Sequence, residues 1–310
     1  MELLFTLSGH PGGGLAPGEV CVDFSKAHDR LPHAPSESCI DAQWSVKLAA
    51  NPRLHDGDKF RLGAIEWRGA RQLFLGLGLT GYREYIGTHA REPDADAALR
   101  FAGCQSQGGS RNSHFSRALG CEAVLSTSDA HVILVRRSNE VSLFQGFYNG
   151  PSGHPEPGRM PSALKTHREP LDGPLSVAEA AADRRCRLGD NDAAAVVKEL
   201  FESVVNETVE EIGIPRDTLG SPLLIGAMQD QSGKPDLLFS LTTALSSAEV
   251  KDIYAKGAHA ESWESDFLLA LPWEEAVSLL GNAGDLSDRI RLTPVTQAAL
   301  ECERTRRQSE

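Results

Sequence analysis

No two cysteines in this chain stand close enough to form a C-x-x-C unit. The six thiols, at Cys21, Cys39, Cys104, Cys121, Cys186 and Cys302, are scattered. Zinc centres and disulfide frameworks both need closer or patterned spacing, so reduced thiols are expected. No apolar run approaches the ~20 residues that span a bilayer. The run Leu3–Leu7 is too short for a signal-peptide core, and no basic residue precedes it. A soluble intracellular protein is expected, with no membrane partner. Basic residues are outnumbered, 31 against 43 acidic, for a formal net charge of -12. That balance disfavours broad binding to nucleic acid or anionic membranes, although a metal ion can still bring a phosphate substrate to an acidic site. Gly12-Gly13-Gly14 lacks the Lys and Ser/Thr of a P-loop and reads as a turn. Ser126 and Ser128 have no G-x-S-x-G context, which argues against a serine hydrolase.

What is present is an ordinary globular composition, 40% hydrophobic and 24% charged over 310 residues. Such a chain buries a core of one large or two smaller domains. Strands are expected at Met1–Ser8, Lys59–Trp67 and Gln72–Leu79. A helix is expected at Glu37–Ala50, with Ile40, Trp44 and Leu48 on one face. A short helix fits Asp94–Phe101, and a polar loop Gln105–Ser113. Ala123–Leu125 and Val132–Val135 flank the turn Ser128-Asp129-Ala130 as a hairpin, and a domain boundary is placed near residue 120. Residues 146–175 are rich in Gly and Pro and read as loop; residues 176–190 read as a short helix and a turn. Later strands fit Leu223–Met228, Leu237–Thr242 and Phe267–Leu271. Later helices fit Ser247–Tyr254, Trp273–Leu280 and Val295–Glu303. Strands interleaved with helices give an α/β layered fold.

The strongest predicted helix is Lys198–Ile212, closed by Gly213 and Pro215. At ~100° per residue, Glu207, Glu210 and Glu211 share one face. Phe201, Val204, Val205, Thr208 and Ile212 gather on the adjoining, buried face. Clustered carboxylates repel unless cations sit among them, and a hard divalent ion with oxygen ligands is the natural partner. A solvated acidic face is the plainer alternative.

Asn206–Ile214 resembles the second half of the Nudix box, with matches at Glu207, Glu210, Glu211, Gly213 and Ile214. Asn206 stands for the family's arginine and Thr208 for a bulky apolar residue. Ser152–Gly158 resembles the family's Gly-Gly-x-x-Glu-x-Gly loop, with Ser152 for the first glycine. Arg159 stands where the family has a glutamate. Loop and helix are separated by an insertion at about 159–198, so that Arg159 precedes Asn206 by 47 residues. Further matches, spread over about 20–270, are similar to a vertebrate and plant Nudix subfamily that hydrolyses UDP-glucose and UDP-galactose. They include Ala27–Arg30, Asp56–Leu62, Leu77–Arg83, Gly87-Thr88, Arg136–Ser138, Gly153–Pro157 and Ala260–Ser262.

The resemblance implies a Nudix α/β/α sandwich with a mixed sheet at about 121–310. An α+β extension at 1–120 would pack on it and supply the nucleoside pocket. It implies Mg²⁺, with Mn²⁺ as an alternative, held by Glu207 and Glu211, with Glu210 as a further ligand and the Gly153 carbonyl completing the shell. Glu261 would assist from a distant loop. Tyr82 would contact the base, and His55 stands where vertebrate relatives carry a base-contacting phenylalanine. His154 would touch the diphosphate. Arg137, at a strand end, suits a forked contact to phosphate oxygens. His10, His28, His33 and His89 show no metal-ligand spacing and read as structural. The implied reaction is hydrolysis of a UDP-sugar to UMP and a sugar 1-phosphate. The rivals are another nucleoside diphosphate, such as ADP-ribose or a dinucleotide, and a non-catalytic nucleotide-binding module, which Arg159 favours. No oligomeric state is implied.

Overall fold

Residues 120–126 alternate strictly between two environments, as a fully buried strand must. Cys121, Ala123 and Leu125 face one apolar cluster, and Val124 faces a second. Those two clusters are the two faces of the larger sheet. The computed structural model describes the chain apart from residues 8–12, 53, 70, 90–92, 107–108, 140, 142, 169–189, 258–262, 282–288 and 310.

In chain order the elements are β1 (Glu2–Thr6), β2 (Val20–Phe24), α1 (Ala34–Ala50), β3 (Asp58–Arg68), β4 (Gln72–Gly81), α2 (Tyr82–His89) and α3 (Pro93–Gln105). Then come β5 (Gly120–Ser126), β6 (His131–Arg137), β7 (Tyr148–Asn149), β8 (Ser152–Gly153), α4 (Pro161–Arg168) and α5 (Asp190–Ile212). The chain continues with β9 (Leu223–Gln229), β10 (Pro235–Thr242), α6 (Ser247–Ala255), β11 (Ser265–Pro272), α7 (Trp273–Ser278) and α8 (Pro294–Arg307). The larger sheet runs β1-β9-β10-β5-β6-β11, with β7 beside β6 and β8 beside β5. It is mixed, because β10 and β5 are parallel while β9 and β6 run antiparallel to their neighbours. Helix α5 packs on one face through Val196, Leu200, Phe201, Val204 and Val205. Ala298, Ala299 and Leu300 of α8, with Leu279, pack on the other. The result is the α/β/α layering expected. No helix among the described residues is long and apolar enough to cross a membrane.

A second sheet, β2-β4-β3, shares the α5 side of this core through Val22, Phe24, Phe60, Leu62, Leu75 and Leu77. The strand β1 belongs to the larger sheet, where Glu2 pairs with Gln229. The division between the two sheets therefore does not fall at residue 120. Gly76 and Gly78 leave room on β4 for the His28 segment, since a Cβ at either would strike His28. Asp29 then accepts the Leu79 amide at 2.7 Å, and Arg30 forks onto Glu37 at 2.8 Å with a further bond to Glu84.

Several elements differ from expectation. Residues 146–175 are not wholly loop: α4 forms at Pro161–Arg168, buries Ala163, and puts His167 2.9 Å from Asp29 and 4.5 Å from the Phe24 ring. The helix α2 was not foreseen. It is set by distant groups, with Asp56 accepting the Arg83 amide at 2.9 Å and Gly57 accepting that of Tyr82 at 3.3 Å. In α1 the expected apolar face is mostly uncovered: Ile40 is buried, but Leu48 is exposed. Met1–Ser8 contracts to Glu2–Thr6, and the helix expected at 176–190 lies outside the described residues, save its last residue, which opens α5.

Glu122 is a buried carboxyl on β5, 1% exposed. One oxygen accepts the Gly150 amide at 3.2 Å and the other, Oε2, has no hydrogen-bond partner among the described residues. Burial, opposed by bonds from Thr296 and Gly150, pushes its pKa up to about 8. The folded chain thus keeps a proton that the unfolded chain gives up near its ordinary 4.5. Its contribution to stability is fully present below that value and is lost as pH rises through about 8. Urea melts at stepped pH should show wild type losing stability across this window relative to Glu122→Gln. Parallel curves for the two proteins would contradict the assignment.

Candidate active site

The loop 150–156 is fastened to α5 at both ends. The Ser152 amide donates to Glu211 Oε2 at 3.3 Å, and the Glu156 amide donates to Glu199 Oε1 at 3.0 Å. Pairing of β8 with β5, Gly153 opposite Cys121, holds its middle. Gly153 then faces Glu207, and a Cβ there would strike the Glu207 carboxylate. The glycine is needed for that close approach. A loop and a helix far apart in sequence thus meet at Gly153, Glu207 and Glu211.

The helix face differs in one respect from the sequence reading. Glu207 and Glu210 are partly exposed, but Glu211 is buried at 4%. The loop covers it. Glu210 lies 3.8 Å from the Arg159 guanidinium, which is also 4.0 Å from Glu199 and bonded to Glu156 at 3.1 Å. Arg159 therefore supplies positive charge where the family carries a further carboxylate. Both substitutions within the box are accommodated. Thr208 is fully buried and satisfies its hydroxyl on the Val204 carbonyl at 2.6 Å. Asn206 accepts a bond from Arg216 at 2.7 Å. Gly213 has φ +84, as a helix-ending glycine should.

Glu207 and Glu211 are hard oxygen donors on one wall. Among the described residues no three acidic, histidine or cysteine side chains form a ready cage. That donor set fits Mg²⁺, which takes one or two carboxylates and completes its shell with waters and substrate phosphates.

His154, next along the loop, is partly exposed, and its pKa is held well below the usual value by burial and by the ammonium groups of Lys234 and Lys59. Neutral imidazole is the form present at pH 7. Lys234 bonds to Asp236, and both lie against Gly120, one residue before the Cys121–Gly153 pair. Tyr85 of α2 feels the same ammonium. Tyr82 stacks on Tyr85 with ring centres 6.1 Å apart, and Trp44 meets its edge at 6.1 Å. His55 is exposed and flanks Gly57, whose carbonyl receives the Tyr82 amide. Tyr82 and His55 are thus neighbours, and a line of groups runs from them through Tyr85 and Lys234 to His154. Arg137 Nε donates to the Leu143 carbonyl at 3.0 Å, and its charge acts on Glu122, whose carboxyl accepts the Gly150 amide at the start of the loop. Glu261 lies outside the described residues, although Glu264, three residues on, is close enough to feel Arg137. Glu199, Lys234 and Asp236 escaped the sequence reading. Glu199 falls eight residues before Glu207 on the same helix, the one periodic signal that pointed to it.

No family model matches the chain. Curated proteins do. Nudix hydrolase 9 of Arabidopsis thaliana is 33% identical over 252 residues, covering 78% of this chain and 75% of that protein. Uridine diphosphate glucose pyrophosphatase NUDT22 of Homo sapiens is 32% identical over 277 residues, covering 87% of this chain and 83% of that protein. The chain belongs to the Nudix hydrolase family and is an enzyme of that family. Among solved structures it is similar to a NUDIX hydrolase from Alicyclobacillus acidocaldarius, with TM-score 0.35 and 14% identity, over 59% of this chain and 89% of the other.

Gly153→Ala tests the loop–helix approach. The Glu207 carboxylate is the end of a flexible side chain and can swing aside, so the thermal midpoint should barely move. The displaced carboxylate should lower kcat by about a hundredfold, the usual effect of a misplaced catalytic group. A variant with normal kcat would show that Glu207 need not sit against residue 153.

Proposed function

We propose that the enzyme hydrolyses the diphosphate of UDP-glucose or UDP-galactose, giving UMP and a sugar 1-phosphate, with Mg²⁺ required and Mn²⁺ able to replace it. The observation that carries this reading is the meeting of Gly153 with Glu207 and Glu211. It gathers the loop and helix of a Nudix site in spite of the long insertion. The human relative named as a uridine diphosphate glucose pyrophosphatase, matched over 83% of its length, supports the choice of substrate.

Glu207 and Glu211 would hold the cation, with Glu210 contributing through water and the Gly153 carbonyl within the shell. Bound there, it would neutralise the diphosphate and lower the pKa of a water. The chain's own groups would do the rest. Neutral His154 can bond a bridging or terminal phosphate oxygen without adding charge. Lys234, whose ammonium is bonded to Asp236 and acts on His154, would add positive charge near the diphosphate. Tyr82 would stack on uracil, with His55 closing the other side, so the N-terminal region supplies the nucleoside pocket. Arg137 would take phosphate oxygens if its bond to Leu143 exchanges, and Glu261 would assist the attacking water. The insertion would supply no catalytic group. Its first part, Arg159 and α4, has structural contacts nonetheless.

The direct test is UDP-glucose turnover with and without Mg²⁺, with UMP and glucose 1-phosphate as the products. Activity that survives chelation, or a clear preference for ADP-ribose, would overturn the reading. Glu211→Gln should abolish most turnover. It should leave the fold intact, since a Gln oxygen can still accept the Ser152 amide. Near-normal Mg²⁺-dependent kcat would remove Glu211 from the metal shell.

Tyr82→Ala should weaken UDP-glucose and free UDP alike, by about 1–3 kcal/mol, the range for a lost base-stacking contact. Calorimetry that finds UDP affinity unchanged would confine Tyr82 to packing against Trp44 and Tyr85.

A further inference from the structure

Two arginines are buried beside the larger sheet with no carboxylate bonded to either among the described residues. Arg61, on β3, is 5% exposed. It donates to the carbonyls of Phe115, His28 and Asn112 at 3.0, 2.6 and 3.0 Å. Arg117 is 7% exposed. It donates to the Leu62 carbonyl at 2.9 Å and the Gln229 amide oxygen at 3.0 Å. Its Nη2 has no acceptor among the described residues. Every bonded acceptor is neutral, and carboxylates act on the pair only through space, Asp29 and Glu84 on Arg61 and Glu2 on Arg117, whereas a buried charge ordinarily needs a bonded counter-ion. Burial, and then a neighbouring guanidinium in each case, pushes Arg61 down to about 9 and Arg117 down to about 10. Each cation is thus destabilised where it sits.

Both line one cavity of about 280 Å³, together with Arg111, Asn112, Gln229 and Glu2. The lining thus includes three arginines and one carboxylate residue, and Glu2 is already engaged by the Gln229 amide at 2.6 Å. Arg111 is exposed at the mouth. Arg117 also holds φ at +46, a left-handed backbone that a non-glycine residue adopts at a cost. Such strain is kept where a side chain must point at a ligand. Size narrows the ligand. The cavity equals about nine water volumes of ~30 Å³ and falls just below the roughly 300–1,000 Å³ of sites for drug-sized ligands. A tetrahedral oxyanion with a few waters matches that volume.

We infer that this cavity is an anion site that binds a phosphate group through Arg61, Arg111 and Arg117, separate from the carboxylate site, with which it shares no residue. Planar forked donors suit phosphate oxygens.

Calorimetry at fixed ionic strength, with inorganic phosphate as the probe and glucose 1-phosphate in a parallel arm, tests it. Saturable 1:1 phosphate binding is expected in wild type. It should weaken by about tenfold or more in Arg111→Gln and in Arg117→Gln, as for a lost charged hydrogen bond. It should tighten in Glu2→Gln and be unchanged in Glu211→Gln. Arg111 is exposed, so its variant keeps the test valid if Arg117→Gln fails to fold. Tighter binding of glucose 1-phosphate through the same arginines would assign the site to a monoester, and weaker binding to the free ion; both fit the site. No saturable binding to tens of millimolar, binding indifferent to Arg111→Gln, or binding lost in Glu211→Gln would overturn it.

Discussion

Two backbone amides of one loop, those of Ser152 and Glu156, are bonded to two glutamates of one helix, Glu211 and Glu199. The candidate active site depends on this fastening. It fixes where Gly153 stands, and so which carboxylates can share a cation with it. Charged acceptors make such bonds stronger than neutral ones. The two bonds lie twelve residues apart along α5, so they set the loop's position and its direction together. Between them, the pairing of β8 with β5 removes the loop's remaining freedom. A long insertion between loop and helix costs such an arrangement little, because loop-closure entropy grows slowly with length.

A second consequence concerns the N-terminal elements. The β2-β4-β3 sheet joins the same apolar cluster as α5, and α2 leaves β4 pointing its aromatic residues toward Lys234. The acidic wall and the tyrosine pair are therefore positioned by one continuous core. Asp29 reinforces it by accepting from both Leu79 and His167, which ties β4 to the start of the insertion.

Much of this was legible in the sequence. The alternation in β5 and the apolar stripe of α5 are local signals, and both elements contain the expected spans, although α5 begins eight residues before the expected Lys198 and β5 extends beyond Ala123–Leu125 at both ends. The box residues identified the helix, and the Gly153 loop was found by its pattern despite its distance. The rest was hidden because it is non-local. Helix α2 is short and is started by Asp56, far away in sequence. Strand β2 carries Asp23 among its apolar residues, which spoils its pattern. Helical spacing put Glu211 beside Glu207 and Glu210, but spacing cannot say what covers a face, and the loop buries Glu211 alone. Lys234 and Asp236 carry no local signal, since nothing in the sequence shows that β10 begins beside Gly120.

If the fastened loop and α5 together make a divalent-cation site, the ion can be counted there. Electron paramagnetic resonance of Mn²⁺ added to the intact protein counts bound against free ion directly. One saturable Mn²⁺ site is expected in wild type, lost or strongly weakened in Glu207→Gln with the fold unchanged. Equal Mn²⁺ binding by the two proteins would contradict it.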